Sequence, residues 1–136
     1  MPRTLAHVAT ASVLSGRAAH GPMIPRDTAD VTPATGASAA APHSREVRVS
    51  GGDLPAAARY EALGTLDAGT IWCGGGDGVD RQMAERARGV GADAATDARH
   101  RRRPSGFAWA APHGSGQAVE ILNPAAAKLD APGGRF

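Results

Sequence analysis

The stretch from Gly69 to Gly91 constrains the fold of this chain more than any other part of the sequence. It consists of an apolar run, Thr70–Cys73, a glycine-rich loop, Gly74–Gly78, and a pattern typical of an α-helix. The apolar run is β-branched and aromatic and is bounded by glycine, which predicts a buried strand. Four apolar residues after the loop share one helical face: Met83, Ala84, Ala87 and Val90. The sequence therefore predicts a strand, a tight turn and a helix in succession.

The glycine-rich loop is a candidate phosphate-binding site. The glycines that permit a sharp turn and leave no Cβ atom in the way of a ligand are Gly74, Gly75, Gly76 and Gly78. Backbone N–H groups at the start of a helix attract phosphate. Asp80 either caps this helix or accepts a hydrogen bond from a ribose hydroxyl, and the sequence favours neither role. The alternative is a tight turn that is rich in glycine because the genome is GC-rich. The loop matches neither a Walker A motif, which needs Gly-Lys-Ser/Thr, nor GxGxxG, whose third glycine is missing.

The residues on either side of this stretch repeat the alternation of strand, glycine turn and helix. Before it, Glu46–Ser50 predicts a first strand, Gly51–Asp53 a second glycine turn, and the segment from Asp53 or Leu54 to Leu66 a helix. The elements predicted after it are a poor strand at Ala92–Thr96, a short helix at Gln117–Leu122, a last strand at Lys128–Ala131 and a third glycine loop at Pro132–Phe136.

Strands that alternate with helices predict an α/β fold. We expect a small, Rossmann-like parallel sheet of three to four strands with flanking helices and right-handed crossovers. In such sheets a ligand lies beyond the C-terminal ends of the strands, where the glycine turns also fall. The first two glycine turns are therefore expected to form one shared site.

Composition divides the chain into a leader and one domain. Residues 1–44 are rich in Ala, Thr, Ser and Pro without a sustained period, which predicts a flexible, disordered N-terminal leader. Residues 45–136 remain for a single Rossmann-like domain. Large apolar residues are scarce among the 136 residues of the chain, so we expect a thin, alanine-lined core and marginal stability.

Several classes of protein are disfavoured by what the chain lacks. Its single cysteine, Cys73, excludes an internal disulfide and a cysteine metal cluster. The five histidines are dispersed, so no metal site is predicted. No apolar run reaches the length of a transmembrane helix, and we expect a cytoplasmic protein without a membrane partner.

The basic run Arg99–Arg103 supports a different function. The arginines that could contact the phosphates of a nucleic acid are Arg99, Arg101, Arg102 and Arg103. The alternative is a solvated loop, because only Phe107 and Trp109 lie nearby in the sequence to stack on bases.

Three glycine motifs, taken in order, resemble those of a known superfamily. They are Gly51-Gly52-Asp53, Cys73-Gly74-Gly75-Gly76-Asp77-Gly78-Val79-Asp80 and Pro132-Gly133-Gly134-Arg135. The helix from Asp80 to Gly91 also fits the family pattern Asp-x-x-x-Ala-x-x-Ala-x-x-x-Gly. From about residue 46 to its end, the chain resembles the YspA-type, cpYpsA-related branch of the SLOG superfamily (the SMF/DprA–LOG group). It departs from that family at the arginine of the first motif, which is absent, and at Cys73, where the family has histidine.

The resemblance implies a module that binds a nucleotide or a nucleotide-derived, ADP-ribose-like ligand. The residues that it assigns to ligand binding are Gly51, Gly52, Asp53, Gly74, Gly75, Gly76, Gly78, Asp80, Gly133 and Gly134. LOG relatives use a catalytic glutamate, and no residue of this chain matches it, so no catalytic residue is predicted. Two hypotheses stay open beside this one: a nucleic-acid-binding protein, as DprA relatives are, and a truncated frame without a stable function.

Overall fold

The computed structural model describes residues 27–38, 40–127 and 133–136. These contain the strands β1 (Thr28–Pro33), β2 (Arg48–Ser50), β3 (Tyr60–Gly69), β4 (Ala94–Arg103), β5 (Ala111–Ile121) and β6 (Gly133–Arg135), and the helix α1 (Asp77–Gly89). The six strands form one sheet in the order β1-β3-β5-β4-β2-β6. β2 and β4 are parallel, and all other neighbouring strands are antiparallel. The fold is therefore a mixed, mainly antiparallel sheet with a helix on one face.

The predicted Rossmann-like parallel sheet with flanking helices is wrong. α1 is the sole helix in the described ranges, and two segments predicted as helices are strands. β3 covers the second half of the predicted helix that ends at Leu66, and β5 covers nearly all of Gln117–Leu122. A bulge in β3 between Ala62 and Gly64 brings Leu63 and Leu66, three residues apart, to buried positions. Their helix-like spacing therefore comes from an irregular strand.

The predicted strand Thr70–Cys73 is also wrong. The strand ends at Gly69, and these residues begin the turn that leads into α1. The Thr70 N–H donates to the Pro112 carbonyl at 3.0 Å, and the Thr70 hydroxyl donates to the Trp72 carbonyl at 3.1 Å. Trp72 is 61% exposed, so the aromatic residue that favoured a buried strand lies at the surface.

Three local predictions are confirmed with shifted bounds. The helix predicted over Asp80–Gly91 is α1, the strand predicted at Glu46–Ser50 contains β2, and the strand predicted at Ala92–Thr96 overlaps β4. β4 continues through the basic run to Arg103, which the sequence assigned to a loop.

Gly91 ends α1 for a reason that is visible in the backbone. Its φ of +80° lies in the left-handed region, which costs glycine little. The N–H groups of Gly91 and Ala92 donate to the carbonyls of Arg88 and Ala87 at 3.0 and 2.9 Å. These two bonds form a Schellman motif, which satisfies carbonyl groups at the end of the helix.

Residues near both ends of the chain belong to the sheet. Residues 28–33 fall within the predicted disordered leader but form the edge strand β1 against β3, so that prediction is wrong for them. Residues 133–135 were predicted as part of a glycine loop and form β6 against β2. The leader prediction for residues 1–26 and the predicted strand Lys128–Ala131 lie outside the described residues.

The main core lies between α1 and one face of the sheet. The fully buried helix residues are Val79, Met83, Ala84 and Ala87, and the buried sheet residues that complete the cluster include Val49, Leu66, Ala68, Ala95 and Ala118. Many of these are alanine, so the helix approaches the sheet closely. At Gly114 in β5, an added Cβ would lie 2.5 Å from Val79 Cγ1, and only glycine leaves room for the helix there.

The opposite face of the sheet carries no helix in the described part of the chain, and we call it the open face. A second apolar cluster covers one end of it and comprises Ala94, Val119, Ile121 and Ala127, with Leu54 and Ala58 packed against them. Polar residues of β3 and β5 follow toward the other end and include Thr65, Asp67, His113, Ser115 and Gln117.

The described part of the chain contains no helix that is long and apolar enough to span a bilayer.

Candidate functional site

The basic run lies on strand β4, and its side chains alternate between the two faces of the sheet. Arg99, Arg101 and Arg103 pair across the sheet with Ser115, His113 and Ala111 of β5. Because side chains of a strand alternate with a period of two, these three arginines share the open face. All the arginines of the run are exposed. The prediction of a basic loop is therefore wrong in geometry, and the arginines form a row along a rigid strand.

Three exposed aromatic residues lie at the end of the sheet that this row approaches. The turn after β3 and the β4–β5 hairpin meet there, since the Ser105 hydroxyl donates to the Ile71 carbonyl at 2.6 Å. Trp72 and Phe107 have ring centroids 5.3 Å apart, with their planes inclined by 41°. Trp72 is 61%, Phe107 52% and Trp109 92% exposed. We call Trp72, Phe107 and Trp109 the aromatic tip.

Hydrogen bonds within the hairpin hold this tip in place. The N–H groups of Phe107 and Ala108 donate to the Ser105 hydroxyl at 3.3 and 3.0 Å. Arg102 donates from Nη1 to the Ala110 carbonyl at 3.1 Å, which ties the base of the hairpin together. The rings are therefore presented to solvent from an ordered turn.

Most arginines of the row on β4 have no carboxylate partner among the described residues. Within the described ranges, Arg99 is the one arginine of the run that forms a salt bridge, to Asp97 at 3.1 Å. Arg103 donates from Nη1 to His113 Nε2 at 3.1 Å, and Arg102 is bound to a backbone carbonyl. A neutral partner orients a guanidinium without cancelling its charge, so this end of the sheet is available to an anion.

His113 connects the arginine row to the neighbouring strand β3. Its ring lies across Gly69, where an added Cβ would be 2.8 Å from Nδ1. Nδ1 donates to the Ala68 carbonyl at 2.6 Å, so Nε2 of the neutral ring accepts from Arg103. Burial lowers the pKa of His113; Asp67, 3.3 Å from Nε2, opposes this shift, and Arg103 and Arg101 reinforce it. The neutral ring therefore fits its surroundings best.

The glycine-rich loop Gly74–Gly78, which belongs to the predicted nucleotide site, lies at the start of α1. Gly76 is the N-cap residue, and added Cβ atoms at Gly74, Gly75 and Gly78 would meet nothing within 4 Å. Asp80 does not cap the helix. Its carboxylate instead lies 2.7 Å from His100 Nε2 on β4. The capping role considered for Asp80 is therefore wrong, and its predicted ribose contact stays a prediction.

The other predicted ligand-binding residues lie farther along the sheet. Gly51, Gly52 and Asp53 follow β2, and the Gly52 carbonyl accepts from the Asp97 N–H at 3.4 Å. Gly133 and Gly134 pair with Ser50 and Val49 in the sheet. Gly52 contacts β4 at Asp97, whereas Gly76 lies beside His100, three residues farther along the strand. Three strand residues span about 10 Å, so the two glycine turns meet β4 at separate positions. The two glycine turns share one end of the sheet but do not form a single cradle.

Trp72 is the residue of this surface that sequence reasoning missed. Its position in an apolar run assigned it to a buried strand, and Phe107 is distant from it in the sequence. The contact between them depends on the pairing of β3 with β5, which no local pattern encodes. Its one sequence signal was the glycine-rich segment immediately after it, which suits a turn as well as the end of a strand.

Comparisons with known proteins leave this geometry as the main evidence. No family model, curated protein or solved structure matches the chain. The resemblance to the SLOG superfamily therefore stays a prediction. In the described ranges, no three His, Cys, Asp or Glu side chains are grouped closely enough to hold a metal ion.

Proposed function

We propose that this protein binds single-stranded nucleic acid along the arginine row of β4 and at the aromatic tip. The observation that supports this most is the exposure of Trp72, Phe107 and Trp109 beside a row of arginines. Proteins that bind single strands combine a basic track for the backbone with aromatic rings on which bases stack. Three large rings held at the surface are otherwise unfavourable, because they expose apolar area to water.

The spacing of the arginines suits an extended backbone. Alternate residues of a strand are about 6.6 Å apart, so Arg99, Arg101 and Arg103 form a regular row of positive charges. A cleft lined by Ile71, Arg103 and His113 connects this row with the base of the aromatic tip. Phosphates can follow the row while the bases next to them reach the rings.

A single strand suits this surface better than a duplex. The aromatic rings project from a hairpin turn, and a base can stack on them only when its face is not already covered by neighbours in a helix. Contacts to phosphates and base faces carry little sequence information, so we expect weak sequence preference.

The small nucleotide predicted from the glycine motifs is the weaker candidate. Open space above Gly74 and Gly75 supports it. Asp77 and Asp80 in the first turn of α1 oppose it, because carboxylates there compete with a phosphate for the positive end of the helix. The cytoplasmic location expected from the sequence stays a prediction.

Intrinsic fluorescence provides a direct test. Both tryptophans of the chain, Trp72 and Trp109, belong to the aromatic tip, so quenching by an oligonucleotide reports on this surface alone. Titration with a thymidine oligonucleotide at low salt should quench the tryptophan emission. The duplex that this oligonucleotide forms with its complement should quench the emission less. Trp109→Ala should weaken binding about 5- to 150-fold, since one base stack is worth roughly 1–3 kcal/mol. Tyr60→Ala, which removes an exposed ring at the far end of β3, is the matched control and should leave the affinity unchanged.

Salt dependence tests the arginine row separately. The logarithm of the binding constant should fall linearly with the logarithm of salt concentration, and Arg101→Ala should reduce that slope by about 0.7. Arg86→Ala, which removes an exposed arginine from α1, should leave the slope unchanged. Binding that is insensitive to salt, or equally weakened by both arginine variants, would contradict the proposal. A rise in melting temperature with AMP or ADP-ribose but not with the oligonucleotide would favour the small-nucleotide alternative.

A further inference from the structure

We propose that a cavity beside β2 is a binding site for a phosphate-type oxyanion, held by the guanidinium groups of Arg48 and Arg135. The cavity has a volume of about 180 Å³ and is lined by Glu46, Arg48, Asp93 and Arg135. This volume is several times the roughly 30 Å³ that one water molecule occupies in the liquid, so a phosphate ion with some water fits.

Two of the three nitrogen atoms in the half-buried Arg48 side chain are shielded from solvent without a partner among the described residues. Its Nε and Nη1 atoms are shielded from solvent and form no hydrogen bond with any described residue. Burying a charged group without compensation is costly, and such groups in native proteins are almost always paired or hydrogen-bonded. An anion in the cavity would provide an acceptor for at least one of these two nitrogen atoms.

Asp93, one of the two acidic residues that line the cavity, already has partners of its own. Asp93 Oδ1 lies 2.8 Å from Arg45 Nη2, and Asp93 Oδ2 accepts from the Ile121 N–H at 3.0 Å. Glu46 lines the same cavity but forms no salt bridge with either arginine in the described part of the chain. Neither of these two acids forms a salt bridge with Arg48.

A second arginine strengthens the case for an anion. β2 and β6 are antiparallel, and their register places Arg48 directly opposite Arg135. Like charges at directly opposed positions of a sheet repel and destabilise the pair. An oxyanion between them converts this repulsion into two charge-assisted interactions, and arginine is well suited to phosphate. Arg48 aligns with Ala94 at the beginning of β4, whereas the arginine row begins at Arg99, so this cavity is separate from the proposed nucleic-acid surface.

The test uses the full chain and inorganic phosphate. Phosphate should raise the melting temperature more than sodium chloride of equal ionic strength, because a ligand that binds only the folded state stabilises it. The ³¹P resonance of phosphate should broaden on addition of the protein. Arg48→Met, which replaces the charge with a flexible apolar chain, should weaken phosphate binding at least about tenfold, as hydrogen bonds to a charged group are worth roughly 1.5–3 kcal/mol.

Two further variants keep the test decisive if Arg48→Met fails to fold. Arg135→Ala alters an exposed residue and should also weaken phosphate binding, whereas Arg86→Ala, which removes an exposed arginine from α1, should leave it unchanged. The absence of both the thermal and the ³¹P effects in the natural sequence would overturn the proposal. Phosphate binding by the Arg48 and Arg135 variants that is as tight as that of the natural sequence would also overturn it.

Discussion

At the scale of single residues, His113 has the most constrained surroundings on the open face. It donates to the Ala68 carbonyl, accepts from Arg103 and lies over Gly69, where no other residue type leaves room for the ring. Protonation of Nε2 would remove the acceptor for Arg103 and create a donor that faces Asp67 at 3.3 Å. The geometry thus depends on a neutral imidazole.

This dependence predicts how stability changes with pH. Because the pKa of His113 is lowered from its ordinary value of 6.5, the unfolded chain binds a proton more readily than the folded protein does. The contribution of His113 to the free energy of unfolding is therefore full above pH 6.5 and decreases as pH falls toward the folded-state pKa. Between pH 7.5 and pH 5.5, the free energy of unfolding measured in urea should decrease more for the natural sequence than for His113→Gln. Equal losses would contradict the prediction, since the other four histidines are common to both proteins.

At the scale of elements, two glycines should respond in opposite ways to the same substitution. Gly114→Ala places a methyl group 2.5 Å from Val79 Cγ1 and must push α1 away from the sheet. We expect a loss of about 1–3 kcal/mol in the free energy of unfolding, as for other overpacked cores. Gly78→Ala lies in the first turn of α1 with open space around it and should raise stability by up to about 1 kcal/mol.

Chemical denaturation of both variants measures these effects on one scale. The pair is matched, because each variant adds the same single methyl group. If Gly114→Ala were as stable as the natural sequence, α1 could not lie as close to β5 as described. If Gly78→Ala were strongly destabilised, the first turn of α1 could not have open space around Gly78.

At the scale of the whole molecule, residues before position 45 contribute to the same sheet and core. β1 pairs with β3 along its length, and Val31 and Ala40 pack against the main core. His43 donates from Nε2 to the Ala92 carbonyl at 2.8 Å, just beyond the end of α1. The sequence-based boundary between residues 44 and 45 therefore falls inside a set of tertiary contacts.

Two truncations test this arrangement. A chain that begins at residue 27 keeps β1, whereas a chain that begins at residue 45 leaves the edge of β3 and part of the main core uncovered. The second should lose about 2–4 kcal/mol relative to the first, because it gives up the burial of a valine and smaller apolar groups as well as a strand. Such a loss is a large fraction of the 5–15 kcal/mol typical of a domain. Similar thermal and urea midpoints for the two truncations would show that the ordered domain begins at residue 45 after all.

Local patterns were sufficient for part of the fold. The amphipathic period after Asp80 predicted α1, and Gly91 marked its end because a positive φ there favours glycine. The alternation at Glu46–Ser50 similarly indicated β2. These elements depend on hydrogen bonds and side-chain faces that are set by residues close in sequence. For the candidate site, the arginines and two of the three aromatic residues were also recognisable from residue type.

By itself, the sequence determined a glycine-bounded helix, a short first strand, a core poor in large side chains and a basic run. The tertiary structure decided that β3 and β5 are strands, because their local sequences carry no clear helical or strand period and only cross-strand pairing distinguishes the two. It also decided that the basic run is a row on one face and that Trp72 joins Phe107. These features depend on contacts between residues far apart in the chain, and the closing of such contacts is governed by the packing of the whole sheet rather than by any local period.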